Sequence, residues 1–253
     1  MKKTIVSIIT ICASVAAFAQ AQVIVDPSKE QGHILPMHGV GGGPSGPATP
    51  QFYKAAGIPF VRLHDVGNTE KHCVEVMQLF PIFEADENDP ANYDFTITDQ
   101  YVKSLVGTGA KVIWRLGNAG HEPTSVKKYG AWPPKDFDKW ARICDHIISH
   151  YNEGWADGFH HNIEYWEIWA EPDNPHFWSA SFEDYIDLYI QAAKHLKSCF
   201  PKIKVGGPSL NAYSQEKAAA AALCSMNTAR SSALPAHTSY TARIFASQCR
   251  LIR

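Results

Sequence analysis

The sequence lacks the cysteine patterns that bind zinc or build a disulfide framework. Six cysteines are spread over 253 residues, and no two of them form a C-x-x-C pair. His146 and His150 have the i, i+4 spacing of metal ligands, but the glutamate of the H-E-x-x-H motif is absent. We therefore expect buried free thiols and exposed helix histidines, with no metal and no cofactor.

The chain also lacks an excess of charge of either sign. Lys and Arg number 23 against 25 Asp and Glu, which gives a formal net charge of -2. A nucleic-acid partner requires a strongly basic face, so this class of partner is excluded. The glycines at positions 39 and 41–43 match neither G-x-G-x-x-G nor a P-loop, and we interpret them as a loop. The G-x-S-x-G motif of serine hydrolases is absent too.

Long hydrophobic runs are missing after the first twenty residues. A membrane-spanning helix needs about 20 apolar residues, so no membrane anchor is expected. At the N-terminus, Lys2 and Lys3 precede a mostly apolar run over residues 5–18 and then Ala-Gln-Ala. This pattern is typical of a secretory signal. We expect a signal peptide over residues 1–21 and a secreted or periplasmic protein.

Strand and helix patterns alternate along the rest of the chain. The strands are predicted over residues 33–40, 60–64, 112–116, 165–169 and 203–205. The helices are predicted over residues 50–56, 98–106 and 136–151, each followed by glycine, and from Ser181, which forms a capping box with Asp184. This alternation without hairpin signals predicts parallel strands and the α/β class.

The most informative stretch is Y-W-E-I-W-A-E-P-D over residues 165–173. It is predicted to be a buried strand that Pro172 stops, so that Glu171 is presented at the strand's carboxyl end, where barrel enzymes gather catalytic groups. We interpret Trp166, Trp169 and Trp178 as aromatic walls that suit sugar rings. Glu167 shares a strand face with Glu171 by alternation, and we expect it to form an ion pair with an arginine.

Several segments resemble clan A glycoside hydrolases, and within them family 39, which includes β-xylosidases and α-L-iduronidases. The resemblance spans roughly residues 32–210 and is carried by V-R-L-H-D (61–65), Y-D-F-T (93–96), W-E-I-W-A-E-P-D (166–173) and F-W (177–178). It implies a TIM-type (β/α)8 barrel and a retaining mechanism with Glu171 as general acid/base. The implied substrates are xylosides or related plant or host glycans, as oligo- or polysaccharides.

The resemblance also implies substrate-binding positions. Arg62 and His64 alternate along the second strand and are expected to hold the sugar or position the acid/base, with packing as the alternative. Family members carry asparagine just before the acid/base, where its amide bonds the sugar 2-hydroxyl. This sequence has Ala170 there, so that bond cannot form.

Further candidates follow the third and fourth strands. Asn118, His121 and Glu122 would rim the mouth of a barrel, and His121 is the preferred sugar contact. Trp178 is a candidate for stacking on a sugar, and loop packing is the alternative.

The chain length predicts an incomplete barrel. Each strand–helix unit needs roughly 30 residues, whereas 43 residues follow Leu210 and no Asp or Glu follows Glu216. We expect about five of eight units, with residues 22–212 forming the N-terminal part of the catalytic barrel and residues 213–253 an aberrant or disordered tail. The nucleophile, which the resemblance places on the seventh strand, is not found. The alternatives are a non-catalytic carbohydrate-binding remnant and an inactive gene fragment, and no oligomeric state is predicted.

Overall fold

A computed structural model describes residues 28, 38–44, 49–63, 74–118, 130–207 and 209–212. Contacts divide the chain into residues 1–35 and 36–253, and every described helix and strand belongs to the second unit. The expected signal peptide and tail lie outside the described residues, as do His64 and His121. In the described part of the chain, no helix is both long and apolar enough to cross a membrane.

Five parallel strands form one sheet whose strand order is the chain order. They are β1 (Val40–Gly41), β2 (Phe60–Leu63), β3 (Lys111–Leu116), β4 (Tyr165–Ile168) and β5 (Lys204–Gly206). A doubly wound sheet reverses its strand order at a switch point, whereas consecutive barrel strands do not. The α/β prediction is confirmed, and the order matches five successive strands of a (β/α)8 barrel.

Helices connect the strands, as parallel pairing requires. They are α1 (Thr49–Ala55), α2 (Val76–Leu79), α3 (Thr96–Val106), α4 (Phe137–Asn152) and α5 (Phe182–Cys199). The predicted capping box is confirmed: the Ser181 hydroxyl accepts from the Asp184 N–H at 3.0 Å, and the Asp184 carboxylate accepts from the Ser181 N–H at 3.2 Å. Two satisfied N–H groups fix the start of α5.

Side chains on alternate positions of the strands meet two different environments. One set is buried in the main hydrophobic core and faces the helices: Val61, Leu63, Val112, Trp114, Leu116, Trp166, Ile168 and Val205. Within it, Trp114 stacks on Trp166 with 5.4 Å between ring centroids and contacts Tyr151 of α4 at 4.7 Å. We call this the helix-facing side of the sheet, and the other the opposite side.

The first strand is only partly tested by the structure. Residues 33–37 of the expected strand lie outside the described residues, and β1 comprises Val40 and Gly41 only. The other four strands begin and end within one residue of the prediction.

Candidate active site

Strand β4 ends one residue earlier than expected, and proline is not the cause. Trp169 adopts a left-handed backbone conformation with φ 63°, which stops regular pairing after Ile168. Its N–H donates to the Leu116 carbonyl at 2.6 Å, so the turn stays attached to the end of β3. The prediction that Pro172 stops the strand is therefore wrong.

Two glycines let neighbouring strand ends approach this turn closely. Gly117 follows β3 with φ 134°, and a Cβ there would lie 3.0 Å from the Trp169 Cα. Gly207 follows β5 with φ 127°, and a Cβ there would lie 2.9 Å from the Ile168 carbonyl oxygen. Both positions thus require glycine for conformation and for space. The carboxyl end of β4 is held between its two neighbours.

Glu171 lies in this turn, at the carboxyl end of β4. Its backbone is also left-handed, with φ 46°, and its N–H donates to the Ser209 carbonyl at 2.7 Å, just after β5. The partly exposed carboxylate accepts a hydrogen bond from the Asn174 side-chain amide at 3.0 Å. Left-handed non-glycine residues cost about 1–3 kcal/mol each, and five of the described residues adopt this conformation. Trp169 and Glu171 are two such residues in three positions.

Asp173 ties the same turn to the chain after β5. Its two carboxylate oxygens accept from the backbone N–H groups of Asn211 at 2.9 Å and Ala212 at 3.0 Å. Together with the bond between Glu171 and Ser209, these contacts fix the turn after β4 against the segment after β5. Glu171 therefore has a defined position relative to two strand ends.

Glu167 forms the ion pair that the sequence predicted. Its Oε2 lies 2.7 Å from Nε of Arg62, across the opposite side of the sheet, and both side chains are mostly buried. The expectation that Glu167 and Glu171 share a strand face is wrong, because the left-handed Trp169 interrupts the alternation between them. For Arg62, this partner supports the packing alternative.

A second charged pair on the opposite side was missed from the sequence. Arg115 of β3 is fully buried, and its Nη2 lies 3.6 Å from Oε1 of Glu75, which is 2% exposed. Arg115 is the register partner of Glu167. Strand alternation in K-V-I-W-R-L would have placed Arg115 on the same side as Ile113, which was the available signal. Glu75 precedes α2, in a stretch with no clear pattern.

The three tryptophans predicted to wall the site are core residues. Trp166, Trp169 and Trp178 are each at most 1% exposed. The Trp178 indole N–H donates to the Ser181 carbonyl at 2.7 Å, and its ring meets Trp169 edge-on at 5.1 Å. Since no ring face is open, the packing alternative for Trp178 agrees with the structure, and the aromatic-wall interpretation does not.

The remaining candidates fall into two groups. Asn118 is buried: it accepts from the Met77 N–H at 3.2 Å and donates to the Gly130 carbonyl at 3.1 Å, so it joins α2 to the segment before α4. Ala170 is completely buried and offers only a methyl group beside Glu171. His64, His121 and Glu122 lie outside the described residues.

The expectations for histidine and cysteine are partly corrected. His150 is buried, stacks on Phe95 with 3.6 Å between ring centroids, and places Nε2 3.0 Å from Asp99. It is therefore a core residue rather than an exposed one. Cys144 is a buried free thiol as predicted, and its burial raises the pKa well above the ordinary value. Cys199 is exposed, contrary to expectation.

Comparison with known proteins places the chain in a family. The model of the glycosyl hydrolases family 39 matches residues 22–250. The chain belongs to this family. A glucosidase of known structure from Croceicoccus marinus superposes with a TM-score of 0.58 and 28% identity, over 68% of this chain and 37% of that enzyme.

Two β-xylosidases are similar over about half of the chain. The one from Geobacillus stearothermophilus is 29% identical over 133 residues, which is 49% of this chain and 26% of that enzyme. The one from Caldicellulosiruptor saccharolyticus is 31% identical over 131 residues, which is 47% of this chain and 25% of that enzyme. The matched region thus spans about a quarter of each β-xylosidase.

Proposed function

We propose that this chain supplies the acid/base part of a retaining glycoside hydrolase and that Glu171 is the proton donor. The single observation that carries the proposal is the placement of Glu171: a partly exposed residue in a left-handed turn at the carboxyl end of β4. Active sites of (β/α)8 barrels lie at this end of the strands. Membership of family 39 and the similarity to β-xylosidases make xylosides the proposed substrates.

The chemistry needs one group that acts twice. The protonated Glu171 carboxyl gives its proton to the leaving glycosidic oxygen while a second carboxylate attacks the anomeric carbon. The resulting carboxylate of Glu171 then removes a proton from water, which hydrolyses the glycosyl ester. The hydrogen bond from Asn174 fixes one carboxylate oxygen, which limits the rotation of the group that must face the substrate.

The proposed turnover also needs an attacking carboxylate, and we propose that it lies outside the described residues. Direct attack requires the two carboxyl groups to stand about 5–5.5 Å apart. The two described acidic residues closest in sequence to Glu171 have other roles: Glu167 is paired with Arg62, and Asp173 holds two backbone N–H groups. Residues 22–212 are accordingly proposed to be one part of the catalytic barrel.

Ala170 bears on which sugar is bound. The resemblance predicts asparagine here, whose amide would bond the 2-hydroxyl, and hydrogen bonds to that hydroxyl contribute several kcal/mol in the transition state. With a buried methyl group in its place, the proposed enzyme depends less on the 2-hydroxyl. We therefore expect a 2-deoxy aryl xyloside to lose less rate here than it does in the relatives that carry asparagine.

Turnover of aryl xylosides by the purified chain tests the proposal. Glu171→Gln removes the transferable proton and is expected to reduce kcat about 10²–10⁴-fold, the usual contribution of general acid–base catalysis. Glu164→Gln is the matched control: this glutamate precedes β4 at its amino end, where it pairs with Lys204 at 2.6 Å, and its loss is expected to leave kcat unchanged.

The anomeric configuration of the first-formed xylose tests the retaining mechanism separately. Retention is expected if the reaction proceeds through a glycosyl ester, whereas an inverted first product would contradict that part of the proposal. A wild-type chain that binds xylosides without turnover would show that the chain alone lacks an attacking carboxylate, and it would favour the carbohydrate-binding alternative.

A further inference from the structure

Three side chains of different ligand chemistry converge between α4 and α5, away from the carboxyl ends of the strands. They are Asp145 from the middle of α4 and His195 and Cys199 from the last two turns of α5. One ligand atom from each lies within 4.8 Å of the other two. His195 and Cys199 are spaced i, i+4, which places both on one face of α5.

The distances are close to those of a tetrahedral metal site. Bonds of about 2.0–2.2 Å to nitrogen and oxygen and 2.3 Å to sulfur imply ligand atoms about 3.3–3.6 Å apart. In the structure, His195 Nε2 lies 2.9 Å from Oδ2 of Asp145 and 3.8 Å from Sγ of Cys199. The third separation, between the ligand atoms of Asp145 and Cys199, is within 4.8 Å, so side-chain rotation is needed to close the coordination triangle.

The surroundings favour a cation. The Ser149 hydroxyl lies 3.4 Å from carboxylate oxygens of both Asp145 and Glu153, so it orients Asp145 and brings a second negative charge close. Metal binding to cysteine replaces the thiol proton, so zinc binding here would release a proton from Cys199.

The cluster is also reachable from solvent. Cys199 is exposed, and the side chains of His195 and Asp145 are 31% and 21% exposed. A water molecule can therefore reach the fourth coordination position of a metal bound by the three side chains.

We propose that Asp145, His195 and Cys199 bind a zinc-like divalent cation that fastens the end of α5 to α4. A thiolate together with an imidazole selects Zn²⁺ over the harder Mg²⁺ and Ca²⁺, and the carboxylate and one water complete four-coordination. The site was not predicted, because a lone H-x-x-x-C and an aspartate fifty residues earlier match no metal motif. The site is independent of the glycosidase proposal.

Cobalt spectroscopy tests the site directly, because Co²⁺ bound to a thiolate gives a sulfur-to-metal charge-transfer band. The reference protein is the full chain in which Cys12, Cys73, Cys224 and Cys249 are replaced by serine. Its remaining thiols are Cys199 and the fully buried Cys144. We expect one equivalent of Co²⁺ to produce the band and Zn²⁺ to displace it.

Variants assign the ligands. Cys199→Ser should abolish the band, and His195→Asn should weaken Zn²⁺ binding at least about tenfold in a titration by calorimetry. His160→Gln, at an exposed histidine in the loop after α4, should bind Zn²⁺ as the reference does. Circular dichroism confirms that each variant is folded.

The reference protein decides the question even if a variant fails to fold. Absence of the charge-transfer band in the reference protein overturns the proposal, as does a band or a Zn²⁺ affinity that survives the loss of both His195 and Cys199. A second readout is thermal: Zn²⁺ should raise the Tm of the reference protein and leave that of Cys199→Ser unchanged.

Discussion

The two sides of the sheet are built from the same five strands but differ in the side chains they bury: one side is apolar and the other carries charged pairs. On the helix-facing side, every one of the eight core side chains is apolar and at most 7% exposed. On the opposite side, Arg62 pairs with Glu167 and Arg115 with Glu75, and Ile113 is partly exposed. The first side supplies apolar burial, which stabilises the fold, while the second carries charge.

The difference shows how the proposed site is supported. A barrel strand turns one side toward its helices and the other toward the barrel interior, and it delivers its catalytic group beyond its carboxyl end. Here Glu171 belongs to neither side, because the left-handed Trp169 redirects the chain between β4 and Glu171. The helix-facing side fixes the positions of the strands. The ends of β3 and β5, which are followed by Gly117 and Gly207, fix the turn after β4.

The largest loss of stability is expected on the helix-facing side, from the replacement of Trp114. Trp114→Ala should lower the free energy of unfolding by about 3–5 kcal/mol, because it removes a fully buried ring that stacks on Trp166. Ile113→Ala, one residue earlier and on the opposite side, should cost about 1 kcal/mol. Urea denaturation measures both. Equal losses at the two positions would contradict the assignment of the sides.

An intermediate effect is expected from the ion pair on the opposite side. Glu167→Gln leaves the Arg62 guanidinium without its carboxylate and should lower the free energy of unfolding by about 2 kcal/mol. Combining it with Arg62→Met should recover part of the loss, since no uncompensated charge then remains. A double-mutant cycle by urea denaturation measures the coupling, and additive losses would show that the pair contributes nothing.

A pH-dependent effect on stability is expected at Glu87, which forms ion pairs with Lys139 and Arg142 of α4. Burial acts to raise the pKa of this carboxyl, but hydrogen bonds from Arg142 and Lys139 outweigh it and lower the pKa to about 2. A folded-state pKa below the unfolded value near 4.5 adds stability above about pH 4.5, and this is lost as the pH falls toward 2. Glu87→Gln should therefore cost about 2 kcal/mol at pH 7 and progressively less below pH 4.5.

Denaturation curves at several pH values measure this difference. If the gap between wild type and Glu87→Gln stayed constant from pH 7 to pH 3, the ion pair would not account for the lowered pKa. Glu84→Gln, at an exposed glutamate that pairs with Lys135, is the control and should change stability little at any pH.

Local signals predicted most of the fold. Strands β2 to β5 and the start of α5 were predicted because short apolar runs and the Ser181–Asp184 capping box act within a few residues. The ion pair of Glu167 with an arginine was also predicted. The position of Glu171 at a strand end was predicted, although the cause, a left-handed Trp169, was not.

Non-local packing explains what the sequence did not predict. An aromatic near a motif can face a sugar or the core, and only the arrangement of α4 and α5 shows that Trp169 and Trp178 contact Trp140 and Tyr185 in the core. The pair of Arg115 and Glu75 and the cluster of Asp145 with His195 and Cys199 likewise join residues that are 40 or more positions apart. Spacing along the chain carries no signal for such contacts.

The leaving-group dependence of Glu171→Ala tests the central claim most directly. A phenyl xyloside needs a proton on its leaving oxygen, whereas the dinitrophenolate of a dinitrophenyl xyloside is a good leaving group without one. If Glu171 is the proton donor, its loss should slow the phenyl substrate about 10²–10⁴-fold and the dinitrophenyl substrate far less in the bond-breaking step. Equal losses on both substrates, or no loss on either, would contradict the assignment of Glu171 as the general acid.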